Sequence, residues 1–373
     1  MNYSLRYQEL NAMYKMGVDT DLQNSPVCVR HFSFHSDPIP QMSENTPENL
    51  FSDKVSENIS FKYPVFVLQK TKKTDRAILL MHGLNERNWS KYLTWAEYLC
   101  TETGRAVILF PIAFHVNRSP INWSNPRMLQ SIYELRRKQN GNDRSLSFAN
   151  VALSERISQN PYRFYSSGRQ SLNDITQLIS NIKSGWHPLF AENTQIDVFA
   201  YSIGAFLSQI AFMTNPDNLF AESKLFMFCG GSIFSSMFGE SRSIMDRVAF
   251  DKLLKYYKED FSAKNEFEQY RDKAFESFYS MILPERNENE RLNFFKKMKS
   301  RLAGISLVRD KVIPYLGVEK ALGIENAKSC INLLDFAFDY SHENPFPVGK
   351  TIVCTEVNTS FERVFLQVAD FLA

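Results

Sequence analysis

The sequence of 373 residues has an ordinary globular composition, with 44% hydrophobic and 23% charged residues. Lys and Arg number 43 against 41 Asp and Glu, and this near-neutral balance, without a basic stripe, argues against a nucleic-acid binder. Single cores stop growing near roughly 250–300 residues, so we expect one main domain carrying insertions rather than two equal domains.

The sequence shows neither the pattern of a targeting signal nor a metal-binding cysteine motif. The first residues lack the apolar core of a signal peptide, and no apolar run is long enough to span a bilayer. We therefore expect a cytoplasmic protein with no transmembrane segment, unless a signal was removed. The five cysteines lack metal-ligand spacing and predict buried reduced thiols and no metal site. Nothing indicates the oligomeric state.

The N-terminal residues 1–57 are predicted to form an extension. It contains one possible strand at 27–35 and a proline-containing loop at 36–57. A further strand is predicted at 59–69. Its Pro64 favours an edge strand or a bulge, because proline cannot donate to a sheet ladder.

Buried strands and amphipathic helices then alternate along the chain. Residues 76–81 predict a strand that ends at His82-Gly83, residues 89–100 have helical spacing, and residues 106–110 predict the next strand. This alternation indicates the α/β class. We expect a doubly wound, mostly parallel sheet of about eight strands with helices on both faces.

Two segments are too long for simple crossovers between strands. Residues 111–166 form a long insertion, which we expect to shape access to the carboxyl edge of the sheet. Residues 232–300 combine charged and aromatic residues at helical spacing and predict two or three amphipathic helices.

The most informative stretch is Ala200-x-Ser202-x-Gly204, between an apolar β-branched run and an apolar helix. A strand that reverses abruptly into a helix needs small residues two positions before and after the turn. Such a turn leaves the Ser202 hydroxyl projecting from the sheet edge, next to helix N-terminal amides that favour negative charge. The alternative is an ordinary turn in which Ser202 caps the helix.

This stretch resembles the nucleophile elbow of the α/β-hydrolase superfamily, with Ala200 replacing the first glycine of Gly-x-Ser-x-Gly. The resemblance implies that Ser202 is a nucleophile. It also implies an oxyanion hole formed by the backbone N–H groups of Leu84 and Ile203. It further implies that 58–231 and 301–373 form the catalytic domain and that 232–300 is an inserted helical cap or lid.

The superfamily places its catalytic residues in the chain order Ser, Asp or Glu, His. Here Asp310 follows a predicted strand at 303–308, and His342 follows the last predicted strand and precedes the C-terminal helix. His342 is the only histidine after Ser202. The alternatives are Asp310 as a turn aspartate paired with Arg309 or Lys311, Asp335 as the acid, and His342 as a surface histidine.

Four further residues are candidates for substrate binding because they lie at or next to predicted strand ends: His82, Asn85, His115 and Tyr201. Two of them have alternative interpretations. His82 would pack beneath a glycine turn, and His115 would be a solvated loop histidine.

The sequence therefore predicts a serine hydrolase that cleaves carboxylic esters of small molecules through an acyl-enzyme on Ser202. We expect no metal or cofactor to be needed. Peptidase, thioesterase or acyltransferase chemistry on the same three residues stays open. A non-catalytic binding protein on a hydrolase scaffold is the alternative from another class.

Overall fold

The computed structural model describes residues 2–37, 51–141, 143–261, 271–349 and 354–373. Within these residues nine strands form a single sheet. The strands are β1 (Thr20–Asp21), β2 (Val27–His35), β3 (Ser60–Leu68), β4 (Thr74–Met81), β5 (Ala106–Leu109), β6 (Phe190–Tyr201), β7 (Leu225–Phe228), β8 (Leu302–Leu307) and β9 (Ile331–Leu334).

The spatial order of the strands is β1-β2-β3-β5-β4-β6-β7-β8-β9. The pairs from β1 to β3 and the β3–β5 pair are antiparallel, and every pair from β5 to β9 is parallel. The crossover from β5 back past β4 to β6 brings the carboxyl ends of β4, β6 and β7 together at one edge. The predicted α/β class, with a mostly parallel sheet, is confirmed.

The prediction that Pro64 marks an edge strand or a bulge is wrong. β3 lies between β2 and β5, and Pro64 is paired with His31 in unbroken register. The His31 N–H donates to Asp19 Oδ1 at 2.8 Å instead of crossing to β3. Pairing of β3 with β5 is confined to Val65 and Phe66, so no ladder bond is lost at the proline.

Thirteen α-helices are present in the described residues. They are α1 (Tyr3–Met13), α2 (Ser56–Ile59), α3 (Ser90–Thr103), α4 (Pro126–Gln139), α5 (Val151–Gln159), α6 (Arg163–Lys183), α7 (Ile203–Thr214), α8 (Arg247–Lys255), α9 (Lys273–Ser280), α10 (Glu288–Lys297), α11 (Tyr315–Leu322), α12 (Ile324–Cys330) and α13 (Cys354–Leu372).

The helices cover both faces of the sheet, as the alternation of strands and helices predicted. Side chains of β6 alternate between the faces: Ile196, Val198 and Ala200 join one buried cluster, and Phe199 and Tyr201 join the other. The first cluster packs against α6, α7 and α11, and the second against α1, α3 and α13. The sheet is therefore buried on both sides, as a parallel sheet requires.

The end of β6 packs against an aromatic cluster on one face of the sheet. Trp95 of α3 is fully buried, and its ring centroid lies 5.3 Å from that of Tyr201 and 5.9 Å from that of Phe228. The same indole lies 5.3 Å from Phe365 of α13. Rigid aromatic packing of this kind holds the last residues of the central strands in place.

The two long segments pack against each other. Helix α5 contacts α8, and a buried ion pair joins Arg136 of α4 to Asp246, the residue that caps α8. Phe164 lies 5.3 Å from Phe234 and 6.3 Å from Phe278 between ring centroids. The segments form a layer over the start of α7. Boundaries at residues 57, 231 and 300 stay predictions, and 262–270 lie outside the described residues.

Cysteines 28, 100, 229 and 330 are free and buried, as the sequence predicted. The side chain of Cys354 lies outside the described part of the chain, as does 38–50 of the predicted loop. In the described residues, none of the helices combines the length and apolarity that crossing a bilayer requires.

Candidate active site

The turn between β6 and α7 is strained at Ser202. This residue has φ 57° and ψ −124°, which a non-glycine side chain rarely adopts. Its N–H donates to the carbonyl of Phe228 on neighbouring β7 at 3.2 Å. The turn is therefore held from the side while its hydroxyl points away from the sheet edge.

Glycines let the elbow lie close to its neighbours. A Cβ on Gly204 would lie 2.6 Å from the carbonyl oxygen of Met81 and 2.7 Å from that of His82. A Cβ on Gly230 would lie 2.5 Å from the Ala205 Cβ. The start of α7 thus rests directly on the backbone at the end of β4, which explains the small residue two positions after Ser202.

The structure brings Ser202, His342 and Asp310 into one hydrogen-bonded series. Ser202 Oγ lies 2.7 Å from His342 Nε2, and His342 Nδ1 lies 2.8 Å from Asp310 Oδ2. All three residues are buried, with 5%, 4% and 5% of their surface exposed. A proton on Nδ1 is donated to the carboxylate, and Nε2 is then free to accept from the serine hydroxyl.

The Asp310 carboxylate is fixed by backbone donors as well as by the imidazole. Its Oδ1 accepts from the N–H groups of Val312 at 2.9 Å and Ile313 at 2.8 Å. Arg309 instead bonds Asp335 at 2.9 Å, so the alternative pairing of Asp310 with Arg309 is not present. Asp335 is occupied by Arg309 and is not the carboxylate that contacts His342.

Two backbone N–H groups near Ser202 have no hydrogen-bond acceptor among the described residues. Leu84 lies in the turn after β4, and Ile203 is the first residue of α7. Neither amide donates to another group in the described residues. Unpaired amides at a helix start and an adjacent turn favour a negative oxygen.

His82 is buried beneath this turn and does not reach either cavity described below. Its Nδ1 is 2.8 Å from the Gly83 carbonyl, and its Nε2 accepts from the Ile112 N–H at 2.9 Å. Burial lowers its pKa to about 4, so the ring is neutral. Of its two interpretations, the structure places His82 under the glycine turn, where it ties β4 to the loop after β5.

Tyr201 contacts His342 and also borders the outer cavity described below. Its hydroxyl donates to the carbonyl oxygen of His342, and the two rings are stacked with centroids 5.6 Å apart. Lys91 Nζ lies 4.8 Å from the centroid of the Tyr201 ring. Tyr201 therefore helps to position the imidazole.

Asn85 and His115 lie on the side of the long insertion. Asn85 Nδ2 donates to the carbonyls of Ala149 at 2.8 Å and Ser243 at 2.7 Å, which joins two loops above the site. His115 is only 7% exposed, so its interpretation as a solvated loop histidine is wrong. Burial lowers its pKa to about 3, and it borders an apolar cavity as a neutral ring.

Two cavities meet at the turn after β4. The inner cavity, of about 1080 Å³ including its opening, extends into the layer formed by the two long segments, and residues such as Phe164, Phe206 and Phe278 line it. The outer cavity, of about 740 Å³ including its opening, is more polar, and Ser202 and His342 border it. Residues 84–87 border both cavities.

Charged residues of the outer cavity were not predicted from the sequence. Lys91 Nζ bonds Glu86 at 2.7 Å and the carbonyl of Glu343 at 2.7 Å. The Ser241 hydroxyl donates to the Glu343 carboxylate. Burial is the largest single influence on Glu343 and raises its pKa, but this bond and further hydrogen bonds, including one from its own backbone N–H, together hold the pKa below its ordinary value. In the sequence these residues resemble solvated helix and loop positions.

The described residues contain no group of three or more His, Cys, Asp or Glu side chains arranged to hold a metal ion. The groups that meet at this edge are a hydroxyl, an imidazole and a carboxylate, close to backbone amides.

Several solved structures are similar to this chain in three dimensions. Carboxyl esterase 2 from the mycorrhizal fungus Tuber melanosporum is 8% identical with a TM-score of 0.49, covering 99% of this chain and 98% of its own. Esterase LipW from Mycobacterium marinum is 11% identical with a TM-score of 0.46, covering 99% and 87%. The peroxisomal alpha-beta-hydrolase Lpx1 from Saccharomyces cerevisiae is 13% identical with a TM-score of 0.41, covering 94% and 90%.

No curated protein sequence matches this chain. A family model described as a family of unknown function, DUF6051, matches residues 41–373. That match covers strands β3 to β9 together with Ser202, Asp310 and His342. The chain belongs to the DUF6051 family.

Proposed function

We propose that this protein is a serine hydrolase that cleaves carboxylic esters through an acyl-enzyme on Ser202. The observation that carries the proposal is the pair of short contacts that His342 makes, 2.7 Å to Ser202 Oγ and 2.8 Å to Asp310 Oδ2. A serine hydroxyl is a weak nucleophile until a neighbouring base takes its proton, and that base needs an orienting carboxylate.

In the first half-reaction, His342 Nε2 takes the Ser202 proton while Oγ attacks the acyl carbonyl. Asp310 stabilises the imidazolium that forms, and His342 then gives the proton to the departing alcohol oxygen. The acyl group stays on Ser202. In the second half-reaction His342 deprotonates water, which attacks the acyl carbon, releases the acid and restores the serine.

The proposed oxyanion donors are the N–H groups of Leu84 and Ile203. Both are unpaired in the described residues, one in the turn after β4 and the other at the start of α7. Preorganised donors of this kind act on the charge that develops on the carbonyl oxygen, and loss of one such donor costs about 10²–10³ in rate.

The two cavities support an ester with unlike halves. The inner cavity is bordered by aromatic side chains such as Phe206 and Phe278 and suits an apolar acyl group. The outer cavity contains Lys91 and Glu343 and suits the alcohol portion and the attacking water. Thioesters, amides and acyl transfer to other acceptors would use the same residues, so a substrate panel has to separate them.

The test is hydrolysis of p-nitrophenyl acetate, butyrate and octanoate, with matched thioester and peptide substrates. We expect ester hydrolysis, and we expect Ser202→Ala to reduce kcat/KM by about 10⁴-fold or more. Ser208→Ala is the matched control, because Ser208 is also buried but bonds the Gly204 carbonyl within α7. Inactivity of the folded protein on every substrate would favour the non-catalytic alternative instead.

A further inference from the structure

Arg87 lies in the wall that separates the inner and outer cavities. It is three residues after Leu84, in the turn that follows β4, and it borders both cavities. The side chain is half-buried, and this burial lowers its pKa from the ordinary arginine value without removing the charge. A cation is therefore held close to the proposed reaction centre.

The other cations that border these cavities have carboxylate partners. Arg156 and Arg163 both bond Asp53 at 2.9 Å, and Arg169 bonds Asp272 at 2.7 Å. Lys91 bonds Glu86 at 2.7 Å. In each case an acidic side chain within the protein balances the charge next to the cavity.

Arg87 has no such partner in the part of the chain that the structure describes. Its Nη2 donates to the carbonyl oxygens of Phe148 and Ala149, and neither Nε nor Nη1 bonds another described residue. Glu86 is already bonded to Lys91 and Tyr92, and Glu343 accepts from Ser241. A partly desolvated guanidinium with free donors favours an anion at this point.

We propose that Arg87 binds a carboxylate group of the substrate, so that the preferred substrates are esters that carry a second, free carboxylate. A planar guanidinium with adjacent free donors matches the two oxygens of a carboxylate. One unpaired guanidinium balances one negative charge, which fits a carboxylate better than a doubly charged phosphate. This inference rests on the proposed ester hydrolysis and defines its substrate class.

The experiment compares charged and neutral esters of matched length on both sides of the scissile bond. The acyl pair is monoethyl adipate and ethyl hexanoate, and the alcohol pair is the hexanoyl ester of 4-hydroxybutyrate and butyl hexanoate. Acid release is followed with a pH indicator. We expect the wild-type protein to prefer the charged ester in one pair by about tenfold or more in kcat/KM, mainly through KM.

Variants assign the preference to this side chain. Arg87→Met should reduce the ratio of charged to neutral kcat/KM to near one, and Arg87→Lys, which keeps the charge but loses the fork, should retain part of it. Arg247→Met is the matched control, because it removes a cation that is paired with Glu240 and borders neither cavity, and it should leave that ratio unchanged.

Two results would overturn the inference while leaving the proposed function intact. One is hydrolysis of all four esters by the wild-type protein with no preference for the charged ester in either pair. This result needs no variant. The other is a charge preference that persists in Arg87→Met. Failure of the folded protein to hydrolyse both these four esters and the p-nitrophenyl esters would instead remove the proposed function, and the inference would fall with it.

Discussion

At the scale of single residues, His342 is positioned by three contacts. Asp310 accepts from its Nδ1, Tyr201 donates to its backbone carbonyl, and the Tyr201 ring is stacked against it. Because each contact restricts a different motion, the ring is presented to Ser202 without needing to move. Preorganisation of this kind is what a general base requires before substrate arrives.

Asp310 offers a direct test of this arrangement. We expect Asp310→Asn to reduce kcat by about 10²–10⁴-fold with little change in KM, because an amide no longer stabilises the imidazolium. Asp335→Asn is the matched control, since Asp335 follows the adjacent strand and bonds Arg309 instead. Steady-state ester hydrolysis measures both, and an equal effect of the two substitutions would contradict the role proposed for Asp310.

At the scale of elements, the start of α7 depends on its contact with the end of β4. We expect Gly204→Ala to lower the free energy of unfolding by about 1–3 kcal/mol, because the new methyl group would meet two backbone carbonyls that cannot move aside. Denaturant unfolding followed by circular dichroism measures the change.

A second glycine provides the comparison for this prediction. Gly168 lies within α6, and a Cβ there would meet nothing within 4 Å. Gly168→Ala should therefore leave stability unchanged or raise it by up to about 1 kcal/mol. If both substitutions had the same effect, close approach at Gly204 would not be the cause.

Elements with a strong local pattern could be predicted from the sequence, and contacts between distant elements could not. The strand before Ser202 and the helix after it follow from the apolar run and Gly204. The chain order Ser202, Asp310, His342 can be seen in the sequence, and the structure brings these three side chains together.

Pro64, His115 and Arg87 illustrate where local patterns are insufficient. The inner position of β3 depends on its pairing with β2 on one side and with β5, about 40 residues further along the chain, on the other. The burial of His115, and the lack of a carboxylate partner for Arg87 among the described residues, depend on how residues 111–166 pack against the turn after β4. Single-sequence periodicity carries no information about such packing.

At the scale of the whole molecule, three buried histidines make the fold sensitive to acid. Burial lowers the pKa values of His82, His115 and His187 to about 4, 3 and 4. The unfolded chain, with histidine pKa values near roughly 6.5, binds more protons than the folded chain below that pH. The free energy of unfolding should therefore fall as the pH falls from about 6.5 toward 4.

Urea unfolding at pH 7.5 and pH 5 tests this sensitivity. His82 alone should contribute about 2 kcal/mol of lost stability over that interval, as an order of magnitude. His187→Gln should flatten the pH dependence, because a glutamine takes up no proton on unfolding. An unchanged urea midpoint between the two pH values would show that these rings are not held neutral by the fold.

The central claim is that one serine at the end of β6 carries the covalent chemistry. Incubation of the folded protein with a fluorophosphonate, followed by intact mass and peptide mapping, tests it most directly. We predict a single adduct on the peptide that contains Ser202, lost in Ser202→Ala and retained in Ser208→Ala. An adduct on another serine, or none at all on the folded protein, would contradict the account.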